Sequence, residues 1–206
     1  QGITRSIVFA LQHLGIPAPD AETLTWAIGP ALVDSFAKLG VSDPDQALAL
    51  YRHRFADVGL FENNIYAGVV PMLRCLKLAG HDLYIATAKP HVYARRITEH
   101  FNINEFMTAE FGPELDGTRN NKADLLAYAL EQTGVVPQHA VMVGDRYHDS
   151  DAAHAVGMAS VAVTWGYGNP SEWARADHIC HTPASLPDAI RHALEAAGAE
   201  PLNKQL

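Results

Sequence analysis

Ala140-Val141-Met142-Val143-Gly144-Asp145-Arg146-Tyr147-His148-Asp149 decides the fold. An apolar run of strand character halts at Gly144. Asp145 follows at once, and Asp149 comes four residues later, where a helix is expected to begin. Parallel sheets present their ligand-binding groups at the carboxyl ends of their strands. Two carboxylates crowded at such a junction repel each other unless a cation or hydrogen bonds offset them. Mg²⁺ suits that arrangement, since it takes a few carboxylates and completes its shell with waters and phosphate oxygens. The plain structural reading of Asp149 is a helix N-cap. Asp145, directly after a glycine at a buried strand end, has a weaker structural explanation.

Working outward, the pattern alternates. Helical periodicity covers 69–79, 90–101, 122–132 and 150–156. Strand character covers 82–87, 106–111, 139–143 and 160–164. Helices alternating with strands over short connections predict a parallel sheet flanked by helices. Upstream the chain reads as helices only. Ile3, Ile7, Val8, Leu11 and Leu14 recur at helical spacing, and Gly15 closes that helix. Asp20 can cap a short helix that breaks at Gly29-Pro30. Helices over 31–39 and 44–57 follow, the second with Pro44 in its first turn and a Ser42/Asp45 pair resembling a capping box. The predicted organisation is a helical module over 1–66 and an α/β core over 67–206.

Other residues offer chemistry. Thr87 ends the strand Leu83-Tyr84-Ile85-Ala86, where its hydroxyl and the N–H groups of Ala88 and Lys89 can bond a phosphate oxygen. The alternative is a turn residue ahead of Pro90. Lys122 stands at a helix start, where the dipole disfavours a cation. It is therefore either an exposed lysine or a neutraliser of phosphate. Asp177-His178-Ile179-Cys180-His181 has metal-ligand composition, but His178 and Cys180 would share one strand face with His181 on the other, so a short edge strand is expected. Cys75 is expected to pack in the core of its helix.

Bulk properties exclude some classes. A formal charge of −8 argues against a broad nucleic-acid face. Apolar residues make up 48% of 206, enough for a sizeable core. No apolar run approaches the roughly 20 residues that span a bilayer, and no signal peptide is read. Two distant cysteines give no disulfide framework and point to a reducing cytoplasm.

With these residues in hand, the chain resembles the haloacid dehalogenase superfamily of phosphohydrolases, closest to its phosphoglycolate phosphatase-like and 5′-nucleotidase-like branch with a small helical cap. Ala86-Thr87-Ala88-Lys89-Pro90 is similar to the family's second motif, Asn121-Lys122-Ala123 to its third, and Gly144-Asp145-Arg146-Tyr147-His148-Asp149 to its fourth. Ile28-Gly29-Pro30 resembles the cap loop that faces substrate, and Trp165-Gly166-Tyr167-Gly168 the loop after the last core strand. The resemblance implies a Rossmann-like core with a helical cap and Mg²⁺-dependent hydrolysis of a small phosphomonoester through an aspartyl-phosphate. It implies Asp145 and Asp149 as the metal site, with Thr87, Ala88, Lys89, Lys122 and Gly29 holding substrate. A cytoplasmic monomer or homodimer, with no nucleic-acid or membrane partner, completes the expectation.

The family's first motif, Asp-x-Asp-Gly-Thr, is not found. Leu32-Val33-Asp34-Ser35 mimics its tail, but Ala27 and Gly29 would then occupy the aspartate positions. Gln1-Gly2-Ile3-Thr4 corresponds to residues just after that motif, so a preceding segment bearing the nucleophile and a first core strand is expected. Alternatives are a sugar phosphomutase on the same scaffold, a non-catalytic binding protein if the chain begins at Gln1, and a metal-independent dehalogenase. The carboxylate pair argues against the last.

Overall fold

The computed structural model describes residues 1–28 and 31–198, which divide into two compact units between Asn64 and Ile65. Among the described residues no helix is long and apolar enough to cross a membrane.

The first unit is helical: α1 (Gly2–His13), a 3₁₀ segment (Ala21–Ala27), α2 (Leu32–Lys38), α3 (Pro44–Arg54) and a π-helical turn (Phe55–Gly59). Ile7, Ala10 and Leu11 form the buried stripe of α1 and share a core with Leu24, Phe36, Tyr51 and Leu60. A Cβ on Gly2 would collide with the carbonyl of Gly59, so only glycine lets α1 approach the π turn so closely. Asp43, not Ser42, caps α3. Its carboxylate accepts from the Gln46 N–H at 3.0 Å, with Pro44 at the first helical position. Both residues are competent caps, and the fixed φ of Pro44 selects the one directly before it.

The second unit alternates helix and strand. It runs α4 (Val69–Leu78), β1 (Tyr84–Ala86), α5 (His91–His100), β2 (Ala109–Phe111), α6 (Lys122–Thr133), β3 (Val141–Gly144), α7 (Tyr147–Ala155), β4 (Ala159–Val163), α8 (Pro170–Trp173), β5 (His178–Cys180) and α9 (Leu186–Ala196). All pairings are parallel, as the alternation predicts. β1 pairs β2 with Ala86 opposite Phe111, and β4 lies between β3 and β5 with Gly144 opposite Ala162. The ladder falls into two pieces, β1-β2 and β3-β4-β5. Strand alternation sends Val161 and Val163 to a face covered by Met72 and Leu76 of α4 and Ile190 and Ala193 of α9. Met142 turns the other way, towards Leu126 of α6 and Ala152 and Ala153 of α7, and Ala86 of β1 packs on that cluster too.

Two further expectations need correction. Cys75 is exposed, because the buried stripe of α4 runs through Met72 and Leu76 and leaves the intervening helix angle to solvent. Helix α7 starts at Tyr147 rather than Ser150. Asp149 lies in its first turn and accepts from the Arg146 N–H at 3.3 Å, so it reaches back to the start instead of standing before it. The expected edge strand at 177–181 does form, with Cys180 buried in the α4/α9 core. Among the described residues no cluster of three His, Cys, Asp or Glu could hold a metal.

Candidate active site

The carboxyl end of β1 leads straight into Thr87. Its N–H continues the ladder to the Phe111 carbonyl at 3.0 Å, and its hydroxyl oxygen accepts from the Lys89 N–H at 3.1 Å. That is the turn expected before Pro90, and it leaves the Thr87 hydroxyl proton and the exposed Ala88 at the strand end. Lys89 is half-buried, and burial pushes its ammonium pKa below the ordinary lysine value.

Lys122 is the first residue of α6. Asn121 caps that helix, its side-chain oxygen accepting from the N–H groups of Ala123 and Asp124. The cap takes up the donors of the first turn and frees the lysine to reach sideways. Its Nζ donates to the Ala86 carbonyl at 2.7 Å and lies 2.9 Å from Oδ1 of Asp149. Lysine and aspartate side chains are 15% and 14% exposed, so water screens the pair only weakly. The cation thus spans the end of β1 and the start of α7. This explains why it tolerates the unfavourable end of a helix dipole. An ammonium has three donors, and two are committed here.

Asp145 follows β3 directly. Its Oδ2 accepts from the Tyr167 N–H at 2.6 Å. The loop after β4 wraps this carboxylate closely. A Cβ on Gly166 would strike the Asp145 side chain, and one on Gly168 would strike its carbonyl oxygen. Tyr66 stands nearby. Its phenol pKa is raised chiefly by burial and further by the charges of Tyr167 and Asp145. Arg146, next in sequence, pairs in bidentate fashion with Glu172 of α8, Nε to Oε2 at 2.7 Å and Nη2 to Oε1 at 3.1 Å. Each partner shifts the other. The arginine holds the Glu172 carboxyl below its ordinary range, and Glu172 raises Arg146 further.

Of the residues singled out in the sequence, the turn at Thr87–Lys89, Lys122, Asp145 and Asp149 all lie at the carboxyl ends of β1 and β3. Lys122 and Asp149 touch each other. Asp145 and Asp149 are held apart in function, the first by a backbone N–H and the second by the lysine and the Arg146 N–H. Gly29 lies outside the described residues. The Arg146–Glu172 pair and the Tyr167 N–H escaped sequence reasoning. The only hint was the Gly-x-Gly after β4, which permits close approach of backbone.

A model for the haloacid dehalogenase-like hydrolase family matches residues 1–163. A 5′-nucleotidase of Pseudomonas aeruginosa is 41% identical over 199 residues, covering 95% of this chain and 89% of that protein. The tyrosine-protein kinase PtkA of Mycobacterium tuberculosis is 36% identical over 195 residues, 94% of this chain and 67% of that one. A haloacid dehalogenase-like family hydrolase from Streptococcus pneumoniae superposes with a TM-score of 0.80 at 28% identity, covering 91% of this chain and 90% of that structure. With strand-end carboxylates, a bridging lysine and a match over residues 1–163, the chain belongs to the haloacid dehalogenase-like hydrolase family.

Proposed function

We propose that the chain belongs to an Mg²⁺-dependent phosphatase that hydrolyses a small phosphomonoester through an aspartyl-phosphate. The observation that carries this reading is Lys122, tied to the Ala86 carbonyl and Asp149 with one ammonium donor left for an incoming anion. The Thr87 hydroxyl and the Ala88 N–H would hold phosphate oxygens beside it, the Lys89 N–H being taken up by the Thr87 oxygen. This is charge stabilisation by preorganised donors, the main protein contribution to phosphoryl transfer.

The donor chemistry fits a hard cation. Asp145 commits one oxygen to Tyr167 and keeps the other, while both oxygens of Asp149 have partners. Asp145 would hold Mg²⁺ directly, and Asp149 would act through Lys122 or a bridging water. The ion, when bound, supplies positive charge opposite the phosphoryl oxygens. Asp145 orients its oxygen, Lys122 offsets the charge of phosphate and nucleophile, and the Thr87 turn fixes the phosphate.

The nucleophilic aspartate would come from a strand seated between β1 and β3. Among the described residues each of these strands has a ladder partner on one side only, yet Ala86 and Met142 share one apolar cluster. A parallel strand inserted there would complete the sheet and bring its carboxyl end to Lys122. A second aspartate two residues on would protonate the leaving oxygen and then activate water.

For substrate, a nucleoside monophosphate ranks first because of the 5′-nucleotidase relative, ahead of phosphoglycolate and sugar phosphates. Transfer of the phosphoryl group to an acceptor other than water is the second reading, favoured by the relative named as a tyrosine kinase. The test is phosphate release by full-length protein from p-nitrophenyl phosphate and a panel of phosphometabolites, with and without Mg²⁺. Running it in ¹⁸O-water distinguishes hydrolysis, which labels the released phosphate, from transfer. Absence of metal-dependent release from every substrate would overturn the reading.

A further inference from the structure

The loop after β4 reaches Asp145 through one backbone donor, the Tyr167 N–H. A backbone donor is only as well placed as the loop that carries it. On one side this loop is continuous with β4, whose ladder continues as the Thr164 N–H donates to Cys180. On the other side it enters α8, a helix of only four residues. Asn169 caps that turn, its oxygen accepting from Ser171 and Glu172 N–H groups. So short a helix cannot hold its own position. What ties it back to the Asp145 segment is the fork of Arg146 on Glu172, both contacts within hydrogen-bond range. Glu172 is 15% exposed and Arg146 34%, so the pair is partly shielded from water. Its two ends lie next to the two sides of the Asp145 contact. Arg146 follows Asp145 in sequence, and Glu172 lies one helical turn beyond the loop that supplies Tyr167.

We propose that Arg146 and Glu172 are positioning residues for Asp145. Their bidentate pair closes the 165–168 loop on the carboxylate, keeps the Tyr167 N–H on Oδ2, and so leaves the other oxygen facing outward. This inference rests on the reading of Asp145 as the Mg²⁺ ligand given above. Neither side chain touches the reacting atoms. A guanidinium fork matters here because two parallel bonds fix an orientation, which a lysine ammonium would not do.

Glu172→Gln keeps shape and removes the charge. In the full-length protein it should weaken Mg²⁺ binding, measured by calorimetry, by roughly 10- to 100-fold, as loss of a ligand-orienting contact usually does. The Tyr167 amide should exchange its hydrogen faster by NMR. Arg146→Lys should reproduce both effects, and the double reversal Arg146→Glu with Glu172→Arg should restore much of the affinity. Arg175→Gln is the control. It breaks the 2.6 Å pair with Asp151, another tie between the segment after α8 and α7, without bordering Asp145. It should leave Mg²⁺ affinity and Tyr167 exchange unchanged. If Glu172→Gln lowers only the melting temperature, or if Arg175→Gln weakens Mg²⁺ binding equally, the positioning role is overturned. If the unsubstituted protein binds no Mg²⁺, the metal reading itself fails and takes this inference with it.

Discussion

Two ion-pair clusters, one in each unit, use the same chemistry to opposite ends. In the helical unit, Glu62 accepts two bonds from Arg54 at 2.8 and 3.0 Å and a third from Arg5 at 3.1 Å, while Arg54 also donates to Ser6. Both carboxylate oxygens are consumed. The cluster ties the segment after the π turn to α1 and α3. In the α/β unit, Lys122 and Asp149 are equally shielded, yet the ammonium keeps a donor and neighbouring Asp145 keeps an oxygen. Saturated polar groups build structure. Unsaturated ones, held in place by saturated neighbours, are what a ligand can use.

Asp145→Asn should break the α/β side of this contrast most strongly. Asparagine can still accept from Tyr167, so the fold should survive. Loss of one preorganised charge should cut Mg²⁺-dependent kcat/KM by roughly 100- to 1000-fold. Steady-state kinetics beside a thermal melt would check both halves. Near-normal turnover with unchanged metal dependence would remove Asp145 from the site.

Lys122→Met should lower both quantities. Turnover should fall by a similar factor, and stability by about 1–3 kcal/mol, since Asp149 is left shielded and unpaired. Asp149→Asn should cost less activity, because the lysine would remain. A Lys122→Met protein as active as the parent would equate this cluster with the one at Glu62.

Glu62→Gln should move stability alone, by about 1–3 kcal/mol in urea unfolding, with kcat and KM unchanged. A drop in kcat at full folding would break the contrast from the other side.

The smallest effect concerns pH. Arg54, more than Arg5, holds the Glu62 carboxyl below its ordinary value, about 4.3. A depressed folded-state pKa adds stability that is present above the unfolded value and lost as pH falls through the folded one. The parent should therefore lose its advantage over Glu62→Gln as pH drops below about 4.3, and keep it unchanged from there to neutrality. Parallel melts across that window would show convergence at the acid end.

Much of the α/β unit was legible because its signals are local. Apolar runs ending in Gly144-Asp145 or Ala86-Thr87 mark strand ends whatever surrounds them. Lys122 was legible as an anomaly, a cation where the helix dipole disfavours one, and its two partners account for it. What stayed hidden depends on distance or phase. Arg146 and Glu172 are 26 positions apart, and nothing in either segment announces the other. The Tyr167 contact uses backbone, which carries no sequence signature. Cys75 was misplaced by one helical step.

The glycines at 166 and 168 have a consequence for how this protein can vary. Each lies where any side chain would collide with Asp145. The residue between them contributes its N–H and is itself 63% exposed. A saturation library over 166–168 should therefore alternate intolerant, permissive, intolerant, with proline the one replacement forbidden at the middle position because it has no N–H to give. Within this loop chemical diversity can enter beside the carboxylate at Tyr167, making that codon the natural handle for retuning what binds there.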